Sequence, residues 1–171
     1  RAQEAGPVAA WTFNDNIQGL VRDVARGTHH LTASGLLQLV DAPGAKAAVF
    51  DGATTFLRAR NHPDLMMSDR VTVDVWLMVD TTQPPEPGCV VDKGGECYRI
   101  QLDGAAMFGL KGGGQRLDLS GGKLEPGRWH RVTGVFDRPQ ARLYLDGEPV
   151  GERQWDNEIG AGGDLFIGAK S

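Results

Sequence analysis

The chain has 171 residues, 40% of them apolar and 23% charged, with a formal net charge of −4 and a pI near 5.5. That length suits one domain with a substantial core. The acidic balance argues against a nucleic-acid partner, whose phosphates require a concentrated basic patch, and no apolar run is long enough for a membrane-spanning helix.

The chain opens on "RAQEAGPVAAW" without a charged-then-apolar leader. Residues 1–10 read as an N-terminal extension and 11–171 as one domain. "VAAWTF" reads as a first strand, followed by the polar segment "NDNIQGLVRDVARGTHH". "LTASGLLQLV" and "AAVFDGATTFLRAR" come next, the second broken at Asp51-Gly52. "HPDLMMS", with Pro63 near a first turn, predicts one or two helical turns at most. "VTVDVWLMVD" is the cleanest strand: Val71, Val73, Val75, Leu77 and Val79 fall on one face and Asp74, Trp76 and Met78 on the other. "CVVDK" and "CYRIQLD" predict a hairpin, as do "AAMFGLK" and "QRLDLS" around Gly112-Gly113-Gly114. "WHRVTGVFD" pairs with "ARLYLDGEPVGER", and "DLFIGA" follows. Glycine is abundant, 24 residues spread as turn punctuation. About ten short strands between such turns predict an all-β protein, a two-sheet antiparallel β-sandwich.

Cys89 and Cys97 flank the first hairpin turn. A three-residue turn at Asp92-Lys93-Gly94 places them opposite each other, as a cross-strand disulfide requires in an exported protein. A two-residue Gly94-Gly95 turn misaligns them, and the sequence leaves both registers open. No second Cys or His pair has zinc-ligand spacing.

The pair Trp129-His130 invites a catalytic reading. Neighbours in a strand point to opposite faces, however, so the two cannot line one pocket. Asp146-Gly147 in "YLDGEPV" is a hairpin turn, where positive φ comes cheaply to Asp and Gly.

The order of these pieces carries more than any one of them. "WTF", "RDVARGTHHL", "AAVFDGATTFL", "VTVDVWLMV", "VVDKGGECYRIQL", "GRWHRVTGVFD", "ARLYLDGEPVG" and "LFIGA" succeed one another from Trp11 to Gly168. This series resembles the laminin-G-like domains, of the three-part bacterial type, in the concanavalin A-like lectin/glucanase superfamily. The resemblance implies a jelly-roll sandwich, attached to exported or cell-envelope proteins, with Trp129-His130 as a structural strand start. It also implies a closing strand after "IG", either absent from this sequence or supplied from elsewhere; where it is missing, an exposed sheet edge and edge-to-edge self-association are expected.

Two candidate sites follow. The superfamily often holds a structural Ca²⁺, for which Asp15, Asp51 and the Gly52 carbonyl offer oxygen ligands; otherwise no cofactor is implied. If the strands share one concave sheet, Asp74, Trp76, Arg99 and Gln101 form an aromatic platform beside hydrogen-bonding groups, the combination that binds sugars. The plainer reading is a structural Asp–Arg pair beside a covered Trp. His62-Pro63-Asp64 matches the tripeptide of chaperone-stimulating J domains but sits between strands, and His29-His30 is a loop pair with no third ligand at suitable spacing. "LKGGGQR" lacks the ending of a phosphate loop. The glucanase pattern Glu-x-Asp-x-x-Glu, which sets acid and nucleophile on one face, is absent. The sequence therefore predicts a non-catalytic, extracellular module that binds carbohydrate or a surface protein. The alternatives are an interaction domain of a larger exported protein and, less favoured, a diverged glycoside-processing enzyme.

Overall fold

The computed structural model describes residues 6–81, 88–94 and 97–169. Its first strands are β1 (Asn16–Ile17), β2 (Leu20–Val21), β3 (Leu31–Ser34), β4 (Gln38–Ala42), β5 (Ala45–Val49) and β6 (Phe56–Ala59). A 3₁₀ turn at Pro63–Leu65 leads into β7 (Arg70–Met78), β8 (Gly88–Lys93), β9 (Tyr98–Leu102) and β10 (Ala105–Gly112). The series ends with β11 (Gln115–Lys123), β12 (Trp129–Asp137), β13 (Gln140–Leu145), β14 (Glu148–Gln154) and β15 (Leu165–Ile167).

These strands form two main antiparallel sheets. The larger has the order β1-β2-β3-β6-β15-β8-β9-β10-β11, the smaller β14-β13-β12-β7, and β4-β5 is a separate hairpin. Period-two alternation builds both. In β7, Val71, Val73, Val75 and Leu77 turn inward while Thr72, Asp74, Trp76 and Met78 are exposed. Tight turns fix the hairpin registers: Gly113-Gly114 (φ 57° and 73°) and Asp146-Gly147 (φ 54° and 88°) have positive φ at both central positions, as type I′ turns require.

The core lies between the sheets, with Phe108, Ile100, Leu57 and Leu31 from the larger meeting Val132, Phe136 and Leu143 from the smaller. Gly134 of β12 lies directly over the Phe108 ring: a Cβ there would sit 2.3 Å from Phe108 Cδ2. The ring is rigid and completely buried, so it has nowhere to go. Gly134→Ala is expected to cost about 2 kcal/mol by overpacking, read by urea denaturation. Wild-type stability would mean that the sheets can separate without loss.

The segment "VAAWTF", expected as a strand, is irregular. Its backbone bonds run to a loop instead: the Ala10 N–H donates to Asp23 Oδ1 (3.0 Å), and the Ala10 carbonyl accepts from Val24 N (2.8 Å). The expected helical signal at "HPDLMMS" is the single 3₁₀ turn.

Trp129 and His130 do part company. Trp129 is half-buried on the outer side, whereas His130 is 2% exposed and points inward. His130 Nε2 accepts the Glu125 N–H (2.9 Å), so the ring proton sits on Nδ1, which donates to Asp146 Oδ2 (2.8 Å). The imidazole thereby ties the Glu125–Arg128 turn to the Asp146-Gly147 turn.

Candidate functional site

β7 is an edge strand, with β12 as its one neighbour among the described strands. A cleft of about 1300 Å³ follows its other side. Residues 6–13 form the facing wall, Val91, Tyr98, Leu165 and Ile167 the floor, and the β4–β5 turn one lip. Because the cleft wraps the strand edge, it meets both the inward valines of β7 and its outward Thr72, Asp74 and Trp76. One carboxylate ties the facing wall, through Ala10, to the 25–29 loop. Asp23 accepts from the N–H groups of Ala10, Ala25, Thr28 and His29 at 2.9–3.2 Å, and Trp11 Nε1 donates to the His29 carbonyl (2.8 Å). Burial opposes the charge of Asp23, but these four donors outweigh it and bring its pKa down to about 2.

On the outer face of the smaller sheet, Trp76 is 62% exposed. Beside it, Asp74 is gripped by Arg131, with Nε–Oδ1 and Nη2–Oδ2 both 2.9 Å, and accepts from Thr133 Oγ1 at 2.6 Å. The register explains the cluster: Arg131 pairs across from Trp76 and Thr133 from Asp74. Partial burial disfavours the Asp74 carboxylate, yet the hydrogen bonds and charge of its partners hold it below the ordinary range. The arrangement is a fixed row of polar groups ending on an open indole.

Arg99 and Gln101 are not part of it. They stand on β9, in the other sheet, and point away from the core while Tyr98 and Ile100 point in. The four expected residues therefore divide between opposite outer faces of the sandwich, Asp74 and Trp76 on one and Arg99 and Gln101 on the other. Arg99 pairs with Asp118 at 3.2 Å, in space that Gly109 leaves clear. The residues that complete the Asp74 row, Arg131 and Thr133, escaped the sequence reading. Their alternation with Trp129 was visible, but the pairing of β12 with β7 was not.

A bulge between Cys89 and Val91 sets Cys89 across from Gln101, so the two cysteines are not directly opposed in the β8–β9 ladder. Cys97 Sγ instead lies 3.0 Å from the Gly160 carbonyl. Asp51 spends its oxygens locally, accepting from the N–H groups of Ala53, Thr54 and Thr55 at 2.8–3.0 Å and from the Thr54 hydroxyl. These bonds, the hydroxyl's foremost, hold Asp51 far below the usual carboxylate range. Gly52 takes the positive φ (71°) that the bend requires, and Asp15 lies exposed in the loop before β1.

No curated protein sequence matches the chain. Several solved structures share its fold. The binding domain of Paraclostridial Mosquitocidal Protein 1 aligns with a TM-score of 0.80 at 14% identity, over 96% of this chain and 44% of that one. Domain 4 of AbnA, a GH43 extracellular arabinanase from Geobacillus stearothermophilus solved with arabinotriose, aligns at 0.73 and 18% identity, over 95% and 83%. The binding domain of Botulinum Neurotoxin DC, in complex with SialylT, aligns at 0.70 and 12% identity, over 90% and 41%. The chain thus spans less than half the length of the toxin chains it matches. In sequence, residues 51–171 match the Laminin_G_3 family, and with the two-sheet architecture this shows that the chain belongs to that family of the concanavalin A-like lectin/glucanases superfamily.

Proposed function

We propose that this domain is a non-catalytic, exported module that binds carbohydrate on the outer face of the smaller sheet. The observation that carries the reading is the exposed Trp76 at the lip of the cleft, beside the Asp74–Arg131–Thr133 row. The C–H face of a pyranose or furanose ring stacks on an indole, while fixed donors and acceptors select hydroxyl positions. The arabinanase domain solved with arabinotriose and the toxin domain in complex with SialylT support the carbohydrate part of this reading. The carboxylates lining the cleft, Asp74 and Asp137, are each held by an arginine, Asp137 by Arg70 at 2.8 Å. Glycosidic cleavage needs one carboxyl kept protonated as acid, and at Asp74 the hydrogen bonds from Arg131 and Thr133 oppose that.

The test is a glycan panel that includes arabinotriose and a sialylated oligosaccharide, followed by calorimetry on the hits. Trp76→Ala is expected to weaken binding about tenfold, or ~1.4 kcal/mol, without loss of stability. Silence across the panel, or affinity unchanged in the variant, removes the proposal.

A second reading rests on the open edge of β7. An unpaired strand edge beside an apolar cleft is a template for an added strand from another chain. Light scattering over a wide concentration range distinguishes the two. A dimer that glycan does not displace favours strand addition, and a monomer at all concentrations disfavours self-pairing.

A further inference from the structure

Among the described residues, one set of His, Cys, Asp and Glu side chains converges so that three ligand atoms lie within 4.8 Å of one another: His29, His62 and Asp64. The sequence gives no hint of this, since His29 closes the loop before β3 and the other two sit at the 3₁₀ turn. The Nε2 of His29 is 3.5 Å from Asp64 Oδ2, and His62 Nδ1 is 3.6 Å from the same oxygen. His29 is almost wholly buried, and its Nε2 has no hydrogen-bond partner. An orphaned buried nitrogen is costly and rare, and this one is aimed at a carboxylate and a second imidazole. The rings of His29 and His62 approach edge-on, with centroids 4.9 Å apart.

We propose that His29, His62 and Asp64 form a binding site for a divalent transition-metal ion of the zinc class. Ligand bonds of about 2.1 Å in a tetrahedron separate neighbouring donor atoms by about 3.4 Å, close to the 3.5 and 3.6 Å from Asp64 to the two imidazoles, whose own nitrogens lie within 4.8 Å of each other. Two imidazoles and one carboxylate suit zinc, and Ca²⁺ prefers an all-oxygen shell. The competing interaction is weak: His62 Nδ1 accepts the Asp64 N–H at 3.3 Å. The side chains of His62 and Asp64 are 48% and 39% exposed, which leaves an entry path and room for water as fourth ligand. His29 supplies the fixed point, because its own N–H is already bound by Asp23 and its carbonyl by Trp11. A bound ion would clasp this loop to the 3₁₀ turn.

The test uses the full chain without an affinity tag, with Zn²⁺ titrated by calorimetry and Co²⁺ by visible absorption. One equivalent of Zn²⁺ is expected to bind, with Co²⁺ giving the intense bands of a four-coordinate site. His62→Ala and Asp64→Ala, both at accessible positions, are each expected to weaken Zn²⁺ at least about tenfold, while Glu148→Ala, at an exposed position on β14, binds as wild type. Circular dichroism confirms that the variants fold. Absence of saturable Zn²⁺ binding, retention of wild-type affinity in either site variant, or its loss in Glu148→Ala overturns the assignment.

Discussion

Asp23→Ala is expected to lower the unfolding free energy by about 2 kcal/mol, because it strands the buried His29 N–H and removes three part-buried bonds from Ala10, Ala25 and Thr28. One carboxylate serves Ala10, Ala25, Thr28 and His29, and it is 4% exposed. Asp23→Asn keeps one acceptor but turns an NH₂ toward backbone donors, so an intermediate loss is expected. The pH dependence isolates the charge. The pKa of Asp23 falls from 3.8 to about 2 on folding, so the folded state binds this proton less tightly than the unfolded chain. Its contribution, about 2 kcal/mol, is complete above the unfolded pKa and fades as pH drops through the folded one. Other depressed carboxylates, Asp51 and Asp74 among them, share the acid limb. The informative quantity is therefore the stability difference between wild type and Asp23→Asn. It should be constant near neutrality and shrink between about pH 4 and pH 2; a difference flat across that window would show that the charge contributes nothing. Ala10 belongs to the wall of the cleft, so the same variant is expected to loosen that wall.

His130→Ala is expected to cost about 3 kcal/mol, part from the cavity and part from stranding the Glu125 N–H. His130→Phe separates the two parts, since it keeps most of the volume and loses both hydrogen bonds; about 2 kcal/mol is expected to remain. Chemical denaturation of the three proteins measures both values. A fully stable His130→Phe would mean that the ring serves as packing and that its bonds to Glu125 and Asp146 are incidental. Asp146 also accepts the Arg131 N–H at 2.8 Å. That bond, first among its partners, keeps the Asp146 carboxylate below the usual range. The residue that invited a catalytic reading is thus a cross-brace, and it anchors the start of the strand that presents Arg131 and Thr133 to Asp74.

The strands and turns were largely legible because their signals are local. Alternation along "VTVDVWLMVD" places each side chain of β7 on its observed face, and Asp146-Gly147 makes the turn its chemistry favours. "VAAWTF" misled for the same local reason: it has a strand's composition, but its backbone bonds go to Asp23 and Val24. The candidate site depends on contacts between distant segments. Whether β7 and β9 share a sheet is decided by pairing, and pairing put Asp74 beside Arg131 and Arg99 beside Asp118. The register at the cysteines, open in the sequence, is set by a bulge that no residue pattern announces. His29, His62 and Asp64 lie in loops, where no period relates one position to another.

The central claim is that the face bearing Trp76, and not the opposite face bearing Arg99 and Gln101, is the one that meets a glycan. The most direct measurement is a heteronuclear NMR titration with the glycan that binds best in the panel, using assigned backbone and indole resonances. The account predicts shifts concentrated on Asp74, the Trp76 indole, Arg131 and Thr133, together with residues 6–13 of the cleft wall. Shifts centred on Arg99, Gln101 and the outer side of β9–β11 would contradict it.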